Sequence, residues 1–174
     1  TSVAKFEMEG TVEVEVTSKQ ADIRSYRIRP LSKGIKAVQT GRTLRFTLDR
    51  PRYLSVEING DIYHNLQLFA DRVMDKPKVR KRDLIYFGPG VHDLKGDSLA
   101  IPSGKTVFID QGAVIKGWLS VYKASNVRIM GHGIVMPGQH EGIMVRYAKN
   151  VSVDGPLTTQ LPVGGSDSVT VKNA

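Results

Sequence analysis

The sequence predicts an all-β protein: an N-terminal antiparallel β-sandwich followed by the first coils of a right-handed parallel β-helix. Three observations carry that prediction. Strand-like runs rich in Val and Ile recur, each ending near a glycine, and Val107, Val127, Val151 and Val169 stand 20, 24 and 18 residues apart. One coil of that size cannot bury its apolar face alone, so such a repeat means coils stacked on one another. The first seventy residues instead alternate apolar and polar side chains, the period of strands with one wet face. Finally, no window shows the helix-period stripe that leucine-rich or helical repeats require.

Residues 1–75 form the expected sandwich. Ala4-Phe6-Met8, Val12-Val14-Val16, Leu44-Phe46-Leu48 and Leu54-Val56-Ile58 each send every second side chain one way, and Glu13 and Glu15 take the wet face between valines. Asn59-Gly60 predicts a type I′ hairpin, because both central residues of that turn need positive φ. A domain of this size buries too little surface to be more than a support. Leu66-Gln67-Leu68-Phe69-Ala70 is a further apolar run that returns to the sandwich or docks against the next domain.

Residues 76–83 read as a basic linker, with Lys76, Lys78, Arg80, Lys81 and Arg82 around Pro77, and as a solvated one. The β-helix spans 84–174. Leu84-Ile85-Tyr86-Phe87 opens it and Gly88-Pro89-Gly90 turns the chain. Superimposing the Val107 block on the Val127 block by a 20-residue shift puts Asp110, Met130, Asp154 and Lys172 at one register position, where side chains leave the core. Asn126, Asn150 and Ser168 stand just before the three later strands.

Composition narrows the function. The chain of 174 residues carries a net charge of +8 and no cysteine, which excludes disulfides and thiolate metal sites. A basic balance attracts polyanions, but the Lys76–Arg82 run lacks interleaved aromatics, so no nucleic-acid partner is expected. No run of 18 apolar residues exists to span a membrane. His64, His92, His132 and His140 never fall at ligand spacing with a carboxylate cluster, and phosphate-binding and dinucleotide glycine patterns are missing. Neither metal nor cofactor is expected.

Tyr86-Phe87-Gly88-Pro89-Gly90-Val91-His92, Ile101-Pro102-Ser103-Gly104-Lys105-Thr106-Val107-Phe108-Ile109 and Gly112-Ala113-Val114-Ile115-Lys116-Gly117 resemble the β-helix glycoside hydrolases of the polygalacturonase and dextranase/isopullulanase type. Ser55-Val56-Glu57-Ile58-Asn59-Gly60-Asp61 is similar to the end of the sandwich that precedes the helix in the dextranase-like branch. The resemblance covers residues 50–174. It implies a secreted, periplasmic or cell-surface enzyme hydrolysing a polysaccharide with inversion, one aspartate as acid and another as base to water. The family's carboxylate segments, an Asn-Thr-Asp-Gly-like stretch and an Asp-Asp pair, do not occur in this sequence. The chain ends at Ala174, about where the coil before the first of them would stand. The expectation is therefore the front part of a longer enzyme, with no catalytic residue in this segment and the remaining coils in the same polypeptide. The absence of an initiating Met before Thr1 adds the expectation of a removed upstream segment.

Within the segment, substrate binding is assigned to Trp118, the chain's one tryptophan, whose flat face can stack on a sugar, and to His140-Glu141, which can hydrogen-bond one. Gly131-His132-Gly133 matches the family's Gly-His-Gly by letters and reads as a turn. Asp110 and Asp154, taken as two coils apart, would stand roughly 10 Å from each other, at the upper limit for an inverting pair. The alternative function is a non-catalytic, carbohydrate-binding or adhesin-like β-helix.

Overall fold

A computed structural model describes residues 2–138 and 141–174. The chain is nearly all β and divides into two compact units, Thr1–Val73 and Met74–Ala174.

The first unit holds β1 (Ser2–Met8), β2 (Val12–Thr17), β3 (Tyr26–Arg29), β4 (Val38–Thr40), β5 (Thr43–Leu48), β6 (Arg52–Ile58) and β7 (Asp61–Arg72). They form a four-stranded sheet, β1-β7-β6-β3, and a three-stranded sheet, β2-β5-β4. Their alternating apolar residues supply one shared core, in which Leu44, Leu48 and Val56 are completely or almost completely buried. Glu13 and Glu15 do lie in solvent, Glu15 meeting Arg45 at 2.8 Å. Asn59 (φ 55°) and Gly60 (φ 77°) turn β6 into β7 as a hairpin with Ile58 opposite Asp61. The expectation of wholly antiparallel pairing fails at one edge: β1 runs parallel to β7, Ser2 opposite Leu66 through Met8 opposite Arg72. The intervening chain crosses to the other sheet and back, and that long connection is what permits a parallel neighbour. Alternation alone carries no information on strand direction.

The second unit holds β8 (Leu84–Phe87), β9 (Gly90–Ala100), β10 (Thr106–Ile109), β11 (Ala113–Tyr122), β12 (Ser125–Met130), β13 (Ile134–Met136), β14 (Ile143–Arg146), β15 (Lys149–Asp154), β16 (Leu157–Thr158), β17 (Val163–Gly164) and β18 (Asp167–Lys172). All of their pairings are parallel. One sheet stacks β8, β10, β12, β15 and β18 in sequence order. In the other, β11 is flanked by β9 on one side and by β13 and β14 on the other, which continue to β16 and β17. Gly117 (φ 133°) bends β11 between its two halves; a Cβ there would stand 2.8 Å from both the Asp97 carbonyl and Leu94. Inward columns such as Ile85, Val107, Ile129 and Val153 fill the interior; the same column continues to Val171, which is exposed. Removing most of a side chain like Ile129 from such a core costs about 2–5 kcal/mol.

The register corrects one expectation. Val107 lies opposite Ile129 and Phe108 opposite Met130, a 22-residue step, whereas Val114 lies opposite Ile134, a 20-residue step. Asp110 therefore does not share a position with Met130, Asp154 and Lys172; Phe108 and Tyr86 do. The two extra residues of the earlier coil are taken up in its turn, around Asp110-Gln111. Strand side chains alternate with period two, so a slip of two residues preserves every inward and outward assignment and is invisible in the pattern.

The following coil cuts that corner tightly. A Cβ on Gly131 (φ 114°) would fall 2.1 Å from the Ile109 carbonyl oxygen, and one on Gly133 2.2 Å from the Ile109 side chain. His132, between them, is 4% exposed and lies beneath Gly155 of the next coil. Gly-His-Gly is here a turn imposed by close backbone approach. Asn126 (φ 57°), Asn150 (φ 54°) and Ser168 (φ 57°) do not precede their strands as expected but are the second residues of β12, β15 and β18, in left-handed conformation, and the Asn150 amide donates to Asn126 Oδ1 at 2.7 Å.

Candidate functional site

Of the substrate-binding residues read from the sequence, Trp118 lies in the second half of β11 and Glu141 just ahead of β14. After the Gly117 bend, Leu119 and Val121 enter the core and are fully buried, so Trp118, Ser120 and Tyr122 take the outward face. Trp118 is half-buried. Two small residues flank it: Ser98 in register on β9, and Gly142, whose carbonyl accepts the Leu119 N–H at 3.0 Å. Gly142 admits no side chain, since its Cβ would meet Thr158 Oγ1 and the Gln160 carbonyl of the next coil.

Glu141 lies two residues before β14, the strand that pairs with the second half of β11. Its carboxylate accepts a hydrogen bond from Arg146 Nη2 at 2.9 Å. Arg146 is in turn opposite Tyr122. Trp118 and Tyr122 therefore share one outward face with Arg146, which carries Glu141 as its ion-pair partner. A face with an indole and a carboxylate–guanidinium pair offers a sugar a stacking surface and both hydrogen-bond polarities. His140 lies outside the described residues.

Four aspartates of the second unit are engaged elsewhere. Asp93 caps the Lys95 N–H at 2.7 Å and Asp97 the Ser98 N–H at 2.7 Å. Asp154 accepts from Asn173 at 2.9 Å. Asp110 is the most elaborated. Tyr86 donates its hydroxyl to Asp110 Oδ2 at 2.6 Å, the Gln111 N–H donates to Oδ1 at 2.9 Å, and Lys76 Nζ sits 3.2 Å from Oδ2. Lys76 also reaches the Tyr86 hydroxyl at 3.0 Å and lies 4.7 Å from that ring's centroid, and Tyr86 stacks on Phe108 at 6.2 Å.

Burial pushes the Asp110 carboxyl up, but the hydrogen bonds from Tyr86, Lys76 and Gln111 outweigh it and hold it below the ordinary carboxylate range. The Tyr86 hydroxyl and Asp110 raise Lys76 correspondingly. A carboxyl held ionised in this way is the opposite of a general acid, whose affinity for protons must be raised. Asp110 fixes the segment before β8 onto the first coils. The Asp110/Asp154 pair falls with the register correction, because Asp110 belongs to a turn and Asp154 to a strand column.

Lys76, Lys78, Arg80, Lys81 and Arg82 are exposed, and three of them also have partners. Lys76 is spent on Asp110, Arg80 pairs with Asp83 at 2.7 Å, and the Arg82 carbonyl accepts from Lys105 at 2.5 Å. The signal for this cluster was present in Tyr86, a polar-tipped aromatic in an otherwise apolar strand, but finding its partners needed the 22-residue step. Among the described residues no group of three or more His, Asp or Glu side chains could hold a metal ion, and no helix is long and apolar enough to cross a membrane.

In solved structures the chain is similar to Dex49A from Penicillium minioluteum, with a TM-score of 0.74 and 15% identity over 97% of this chain and 46% of that one. At that identity the likeness is one of fold. The chain spans less than half the length of Dex49A. A candidate glycosyl hydrolase from Parabacteroides merdae aligns at 16% identity over 52% of this chain and 60% of its own, but with a TM-score of 0.39 it carries no weight. No family model and no curated protein matches the chain.

Proposed function

We propose that this chain is the front portion of a polysaccharide-degrading glycoside hydrolase. Unit 2 is the start of a right-handed parallel β-helix and unit 1 its supporting β-sandwich. The outward face of Trp118 and Arg146, with Glu141 as the latter's partner, contacts the glycan, together with His140. The catalytic aspartates of an inverting mechanism belong to coils outside residues 1–174, and the protein works outside the cytoplasm. Supporting this reading are the likeness of fold to Dex49A and the sequence resemblance of residues 86–117 to the β-helix enzymes. The observation that carries the absence of catalysis here is the state of the carboxylates: Asp93, Asp97, Asp110, Glu141 and Asp154 each have a hydrogen-bonding partner.

That same observation favours the second reading, a carbohydrate-binding β-helix without catalysis. One experiment separates the two. Residues 1–174 and the full-length protein are incubated with dextran, pullulan and polygalacturonan, and released reducing ends are measured. Release by the full-length protein alone supports the hydrolase. Binding without release by either form supports the binding module. Release by residues 1–174 themselves would refute the assignment of catalysis to other coils.

A further inference from the structure

The turn after β14 carries a side chain that its backbone does not favour. Tyr147 has φ 52°, the left-handed region, where a bulky residue is a true outlier. The same place in the neighbouring coils is held by Lys123 (φ 49°) and by Gly165 (φ 57°), the turns being stacked by hydrogen bonds from Lys123 N to the Arg146 carbonyl and from Tyr147 N to the Gly164 carbonyl. Glycine meets this geometry without strain, as it does one coil on. The ring at 147 is also accommodated: a Cβ on Gly165 would stand 2.7 Å from Tyr147 Cδ1, so only glycine lets the ring lie against that turn. Tyr122 meets it edge to face, with centroids 5.9 Å apart and planes at 83°.

Two aromatic rings are thus fixed in position yet left in water, Tyr122 at 50% and Tyr147 at 63% exposure. Lys123 Nζ stands 5.3 Å from the Tyr122 centroid, and Tyr122 is the register neighbour of Arg146. Strained, braced and exposed aromatics beside polar donors are the elements of a ligand platform. Trp118 lies four residues earlier on the same outward face of β11, about 13 Å away along the strand.

We propose that Tyr122 and Tyr147 form a second carbohydrate subsite, taking a pyranose ring by stacking, with Lys123 donating to its hydroxyls. It extends the Trp118 face toward the turn column, so one polymer chain occupies both. This rests on the proposed polysaccharide function.

The subsite is tested by affinity electrophoresis of residues 1–174 through gels containing dextran, pullulan or polygalacturonan. Tyr147→Gly suits the backbone, so it should fold with an unchanged or higher melting temperature. The expected result is retardation by at least one polymer for the wild type, and dissociation constants about tenfold higher for Tyr147→Gly, equivalent to ~1.4 kcal/mol. Tyr122→Ala should weaken binding in the same direction. If Tyr147→Gly binds like the wild type while Trp118→Ala weakens binding, the subsite is overturned and the polysaccharide reading stands. If the wild type is retarded by none of the three polymers, both are overturned.

Discussion

Replacing Gly131 with alanine probes the coil geometry at its tightest point. The new Cβ would lie 2.1 Å from the Ile109 carbonyl oxygen and under 3 Å from that residue's C and N, whereas an ordinary contact begins at 3.4 Å. The obstacle is backbone, so the coil itself must move by more than an ångström. Moving it loosens the Gly131 N–H bond to Asp154 O (3.2 Å) and the Gly133 N–H bond to Ile109 O (3.0 Å). Two weakened hydrogen bonds at about 1 kcal/mol each, overpacking at about 1–3 kcal/mol and positive φ for alanine at about 1–2 kcal/mol sum to roughly 4–7 kcal/mol. With a urea slope of ~2 kcal/mol/M, the unfolding midpoint should fall by roughly 2–3.5 M. The chain's one tryptophan, Trp118, belongs to the second unit and reports its unfolding by fluorescence. Gly104→Ala is the internal reference: its φ is also positive, at 75°, but nothing lies within 4 Å of the added Cβ, so it should cost only about 1–2 kcal/mol. Equal midpoints for the two variants would refute the close approach between coils and make His132 a functional candidate again.

Other outcomes rest on single contacts. Asp110 has a lowered pKa in the folded protein, so its contribution is complete above the unfolded value near 4 and disappears as pH falls through the folded value. Asp110→Asn should lower the melting temperature at pH 7 and make its decline below about pH 4 shallower than in the wild type, as calorimetry would show. Tyr86→Phe should give the same shallower decline, since it removes the 2.6 Å donor while keeping the ring on Phe108. Asn150→Ala loses both the 2.7 Å amide bond and a residue tolerant of φ 54°, and should cost about 1–3 kcal/mol in urea unfolding; Asn150→Gly, which relieves the backbone, should cost less.

How much of this is legible in the sequence depends on what each pattern encodes. Val and Ile spacing reveals parallel stacking from residue 84 onward, because inward columns must be apolar in every coil. Asn126, Asn150 and Ser168 are visible as punctuation, and their positive φ explains why. Asn59-Gly60 fixes its own hairpin. Strand direction is not legible at β1, since alternation is the same in parallel and antiparallel pairs. The register between β10 and β12 is not legible either, since a two-residue slip leaves the same faces apolar. That slip hides the Tyr86–Phe108–Met130–Asp154 column, and with it the contacts of Asp110. Trp118 and Glu141 stand out by residue chemistry, but their placement relative to one another is not legible from it. Tyr147 gives no such signal, because its interest lies in a backbone angle.

The stacking of coils in this register underlies the site, the platform and the exclusion of an Asp110/Asp154 pair, and the absence of native cysteine makes it directly measurable. Paired residues on adjacent parallel strands have Cα atoms about 4.8 Å apart, within disulfide range, while a pair offset by two residues exceeds it. Thr106→Cys with Arg128→Cys, opposite each other in this structure, should oxidise rapidly and completely to an intramolecular disulfide. Thr106→Cys with Asn126→Cys should stay reduced; preferential crosslinking of that second pair would contradict the account.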